Sequence, residues 1–181
     1  MARSWNSWND VFAQKYIFVV VFLLAVLGCR QTGSVVSGQG IFISADMPLA
    51  SYVRANPQGV GIKGRQFYFP ELDIYGPSGE LLYSGHGSFD NTRVLRELPG
   101  SIQGLRPKPG ATQLAEVMDT VPDFKTRKVE VLGSRRISVL SVFLEDCHAC
   151  TIQEDALDDT QKRLLDQGVN LLVLRVSRHR P

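Results

Sequence analysis

Two apolar runs near the C-terminal end constrain the fold more than any other feature of the chain. Residues 137–144 (ISVLSVFL) are interrupted only by serines, and residues 169–176 (VNLLVLRV) only by Asn170 and Arg175. Runs of this length and character are those of strands covered on both faces. Between them a helix is predicted to run to Gln167, with Ala149, Ile152, Ala156 and Leu164 on one face and Gly168 in the stop position. Strand, helix and strand in this order make a βαβ unit, so the two strands are expected to be parallel and the fold class α/β.

The junction between the first run and the helix reads Glu145-Asp146-Cys147-His148-Ala149-Cys150. A C-x-x-C at a helix start gives its thiols a short reach to one another and sets the first beside unpaired backbone N–H groups, which favour a thiolate. A protonated His148 adds to this, whereas the charges of Glu145 and Asp146 oppose it. The arrangement resembles the thioredoxin-like thiol–disulfide oxidoreductases, which place a C-x-x-C between a central strand and the following helix. That resemblance implies Cys147 as the exposed nucleophile and Cys150 as the resolving thiol. Asp146 stands where thioredoxin itself commonly has a tryptophan.

The first half carries a second part of the same resemblance. Residues 69–83 (FPELDIYGPSGELLY) offer a proline, an apolar strand, a Gly76-Pro77-Ser78-Gly79 turn and another apolar strand, followed by Gly85, Gly87 and a helix over residues 90–98 with Asp90 as its cap. This is similar to the segment of thioredoxin-like proteins that follows their cis-proline, and it implies that Pro70 orients a partner's backbone opposite the cysteines. A strand-edge proline is the plainer alternative for Pro70. In the family the strand-strand-helix half comes second, whereas here it comes first. The expected architecture is thus a thioredoxin-like three-layer sandwich with a central mixed sheet and its halves in permuted order. Residues 41–98 form one half, 99–136 the connector and 137–176 the other, within a domain spanning 41–181. The same order also suits two incomplete halves that each pair with another copy.

Smaller elements complete the reading. Residues 41–44 are β-prone, and Asp46-Met47-Pro48 is read as the start of a short helix ending near residues 56–57. Pro107 and Pro109 exclude a helix or central strand around them. Beyond them a helix is expected at 111–118 and a strand at 128–132.

The N-terminal residues bear on location. A polar stretch with Arg3 and Lys15 precedes the uncharged run 17–27 (IFVVVFLLAVL). At ~1.5 Å per residue that run covers roughly half of a ~30 Å hydrocarbon core, the length of a signal-peptide apolar region. Val26-Leu27-Gly28-Cys29 then resembles the lipobox of bacterial lipoproteins, whose cysteine is acylated and becomes the first mature residue. The resemblance implies a signal peptide over 1–28, a lipid on Cys29, a Gly/Ser-rich tether over 29–40, and a periplasm-facing envelope protein. Arg30, in the place where an Asp would favour inner-membrane retention, favours the outer membrane. An uncleaved anchor beginning near Tyr16 is the alternative.

The formal charge of +2 is spread along the chain, so no electrostatic footprint for nucleic acid is present. Of the three cysteines, assigning Cys29 to lipid leaves an even pair. For that pair, exchange with a protein thiol or disulfide partner, without any cofactor, is the leading reading. A copper(I) site using Cys147, Cys150 and a distant His86, and a structural disulfide in a non-catalytic lipoprotein, are the alternatives. Thr151, where a haem-attachment motif needs histidine, excludes c-type haem. His179 is read as a solvated tail residue.

Overall fold

A computed structural model describes residues 38–55 and 68–178. The leader, Cys29, most of the tether, residues 56–57 and His179 lie outside the described residues. Five strands form one mixed sheet: β1 (Phe42–Pro48), β2 (Glu71–Tyr75), β3 (Leu81–His86), β4 (Ser138–Leu144) and β5 (Asn170–Ser177). Their order across the sheet is β1-β5-β4-β2-β3. The pairs β1–β5 and β5–β4 are parallel, and β2 runs antiparallel to both β4 and β3. Strand β2 therefore joins the two halves of the sequence inside one sheet of one chain.

Six helices accompany the sheet: α1 (Leu49–Ala55), α2 (Ser88–Glu97), α3 (Leu114–Thr120), α4 (Pro122–Thr126), α5 (Lys128–Gly133) and α6 (His148–Asp166). Alternate strand residues feed two cores, one on each side. Leu72, Ile74, Val139, Phe143, Leu171 and Val173 pack against α2 and α6 through Leu95, Leu157 and Leu164. On the other face Ile43, Ala45, Leu140, Leu172 and Leu174 meet Tyr52, Met118, Phe124 and Val131 of α1 and α3 to α5. The molecule is an α/β protein with helices on both faces of a mixed sheet, and β4 and β5 are buried on both sides as their apolar runs require.

The hairpin turn closes by hydrogen bonds from Gly79 N–H to Gly76 O (2.9 Å) and from Gly76 N–H to Glu80 O (2.8 Å), with Gly79 at φ 85°. Gly40 leads into β1, and a β-carbon there would sit on the backbone carbonyl of Val169.

Three local readings are corrected. Asp46 and Pro48 belong to β1, whose Ile43, Ala45 and Met47 face inward by strand alternation, and the helix begins only at Leu49. Helix α2 starts at Ser88 after Gly87, so Asp90 lies in its first turn and does not cap it. Residues 128–132 are helical. Val129 is 88% exposed and Val131 1%, and residues two apart point to opposite sides of a helix but to the same side of a strand.

Candidate functional site

Strand β4 delivers the chain to one end of the sheet, where Glu145 and Asp146 are exposed. Asp146 takes φ 59°, a conformation an aspartate tolerates better than most residues, and this turns Cys147 into the N-cap position of α6. Cys147 Sγ accepts a hydrogen bond from Cys150 N–H (3.2 Å). Cys147 and Cys150 are joined in a disulfide with their Cα atoms 5.2 Å apart. The two sulfurs differ in access: Cys147 is half-buried, whereas Cys150 is 3% exposed and its Sγ receives the N–H of Leu144 at 3.5 Å.

Across from Cys147 stands the entry to β2. Phe69 O lies 3.9 Å from Cys147 Sγ, although the two residues are 78 positions apart in the chain. The disulfide sulfur carries no hydrogen, so this is a packing contact; a reduced Cys147 thiol would have the carbonyl within reach of its S–H. The Phe69–Pro70 peptide is cis. Pro70 is buried, its carbonyl accepts the N–H of Gly87 (3.2 Å), and the Phe69 ring packs 5.7 Å from that of Tyr52. Pro70 and Cys147 thus share one end of the sheet.

His86 is exposed at the end of β3, paired with Glu71 in the strand register and 6.2 Å from the ring of Tyr68. Among the described residues no three His, Cys, Asp or Glu side chains are grouped to hold a metal ion.

A groove of about 660 Å³ runs from the disulfide along the ends of β4, β5 and β1. Carboxylates dominate its polar lining: Asp46, Glu145, Asp146 and Glu154. Arg175 lines it as well and is engaged, donating to Glu154 (2.8 Å) and to Ser44 Oγ (2.8 Å).

Two polar clusters behind the site were not anticipated from sequence. Gln153, one turn beyond Cys150, is 0% exposed. Its Nε2 donates to Glu71 O (3.2 Å) and Ser141 Oγ (2.7 Å), and its Oε1 accepts from Asn91 Nδ2 (2.6 Å). The buried face of α6 is Cys150, Gln153, Ala156, Leu157, Thr160 and Leu164: Ala156 and Leu164 lie on it as expected, whereas Ala149 and Ile152 stand at its margin. On the other side of the sheet, Glu71 accepts from Tyr52 OH (2.7 Å), and Asp73 from Tyr75 OH (3.4 Å). Asp73 Oδ1 is buried without a hydrogen-bond partner. Burial, and next the charge of Glu71, push the Asp73 carboxyl up to about 7. The same two causes, burial first, hold the Tyr52 hydroxyl well above its usual range.

No family model, curated protein or solved structure matches the chain.

Proposed function

We propose that this is a thiol–disulfide exchange protein with a thioredoxin-like domain in permuted order, held to the bacterial envelope through a lipid on Cys29 and facing the periplasm. One observation carries the reading: a disulfide at the N-terminus of α6 whose first cysteine is half-buried with its sulfur beside Phe69 O, while its second is buried and receives the N–H of Leu144. This asymmetry suits a two-step exchange. The Cys147 thiolate attacks a partner disulfide, forming a mixed disulfide and expelling one partner thiolate. The deprotonated Cys150 then attacks Cys147 Sγ, closing the Cys147–Cys150 bond and releasing the second partner thiolate. The partner gains two electrons and the pair loses two; run backwards, the same steps oxidise a dithiol partner. The sheet order supports the fold assignment, since the strand leading to the cysteines is flanked by a parallel strand and by the antiparallel strand that follows Pro70.

Redox titration and thiol trapping test the proposal. The expected results are a potential above about −300 mV, a Cys147 that alkylates at pH 7, loss of exchange in Cys147→Ser, and accumulation of mixed disulfide in Cys150→Ser. A lower potential with both thiols inert at pH 7 would identify a structural bridge and overturn it. Labelled fatty acid entering the wild type and not Cys29→Ala tests the anchor.

A further inference from the structure

Burying a primary amide in an apolar core is unfavourable unless its donors and acceptor are all satisfied, and a leucine of similar volume would fill the same space without that demand. Gln153 meets the demand fully, and its partners are spread over the walls of the site. Its donor bond to Glu71 O grips the residue directly after Pro70, and its bond to Ser141 Oγ grips β4, the strand that leads to Cys147. Asn91 of α2 holds the amide from behind, donating also to Gly85 O (3.3 Å) and accepting from Tyr83 OH (3.1 Å). A single side chain of the cysteine-bearing helix thus ties together β2, β4 and, through Asn91, β3 and α2.

We infer that Gln153 is a positioning residue, its amide fixing the Phe69–Pro70 segment at a set distance from Cys147 so that a peptide partner laid along that segment presents its sulfur in line for attack. The inference rests on the exchange reading proposed above. It separates substrates by chemistry. A small aromatic disulfide has no backbone to align and needs only an accessible Cys147. A disulfide-bridged peptide needs both walls in register.

The test compares these two substrates, dithiobis(nitrobenzoate) and a peptide with one intramolecular disulfide, in single turnovers of the fully reduced full chain in detergent, KM being the half-saturating substrate concentration and kcat the limiting rate. Gln153→Met keeps the length of the side chain and removes every hydrogen bond. It should raise KM for the peptide about tenfold, the worth of one ordinary hydrogen bond, with kcat and the rate on the small disulfide within about twofold of wild type. Ser141→Ala, which cuts the tie to β4 and leaves the bond to Glu71 in place, should raise the peptide KM in the same direction by a smaller factor, about threefold. If Gln153→Met does not fold, Gln153→Glu is read in its place: it keeps the acceptor for Asn91 and loses the donor to Glu71, so the same KM rise is expected. Equal slowing on both substrates, or no change on either, in a folded variant would overturn the positioning role. A wild type inert towards both substrates would instead overturn the exchange reading.

Discussion

Among the described residues Asp73 is the one carboxyl that burial moves into the physiological range, and Asp73→Asn isolates it. A group whose folded-state pKa lies above its unfolded one binds more protons folded than unfolded between the two values. Its contribution is therefore fully present below about 4 and lost as the pH rises through about 7. The gap between 3.8 and about 7, at ~1.4 kcal/mol per pH unit, sets a ceiling of ~4 kcal/mol. Asp73 keeps one edge towards solvent and accepts from Tyr75 OH, so about half of that is the expected effect. Denaturant unfolding of the disulfide form at pH 5 and pH 8 measures it. Asp73→Asn should be about 1 kcal/mol more stable than wild type at pH 5, where part of the contribution is already lost, and about 2 kcal/mol more stable at pH 8. Groups common to both proteins cancel in the difference. A difference that is unchanged between the two pH values, or that favours wild type at pH 8, would refute the assignment of a buried, proton-holding Asp73.

Two further substitutions probe the packing. Gly40→Ala should cost about 2–3 kcal/mol in the same unfolding assay, because its methyl would meet the Val169 carbonyl and both clashing groups are held by backbone. Phe124→Ala should cost about 3–5 kcal/mol, since this ring is 0% exposed in the core between α4 and the sheet, whereas Val129→Ala, at an 88% exposed position, should change stability by less than about 0.5 kcal/mol.

The sequence was most legible where one period dominated. Residues 137–144 and 169–176 could be read as interior strands because no polar alternation competes with their apolar content, and the parallel β4–α6–β5 unit followed from their order. The reading weakened where a residue's surroundings depend on distant chain. The segment Glu71-Leu72-Asp73-Ile74-Tyr75 alternates as a strand with one wet face would, yet α1 and the connector helices pack over that face and leave its acids half-buried. Gln153 reads as a surface residue for the same reason: its partners come from Asn91 and Glu71, which no local pattern links to it. Residues 128–132 misled because Val129 and Val131, two apart, match the strand period, whereas in the helix only Val131 packs inward and Val129 is exposed. Cys147 and Cys150 announced themselves through spacing, whereas the proximity of Phe69 to Cys147 required the sheet order.

Strand β5 lies between β1 and β4, and it is the final element of the described chain. During synthesis the first strand therefore emerges without its neighbour, which arrives only after every other element has been made: Phe42 waits for Leu171, and Val139 of β4 waits for the same residue. Until then the sheet is limited to β4, β2 and β3, with the inner edge of β4 open to any extended chain nearby. Contacts of such wide sequence separation place the loop-closure cost before the reward, so slow, all-or-none assembly is the expected kinetic behaviour. A chain stopped short of Asn170 would lose the neighbour of β1 and the partner along one edge of the strand that leads to the cysteines, which makes β5 the piece on which the closing of the whole sheet depends.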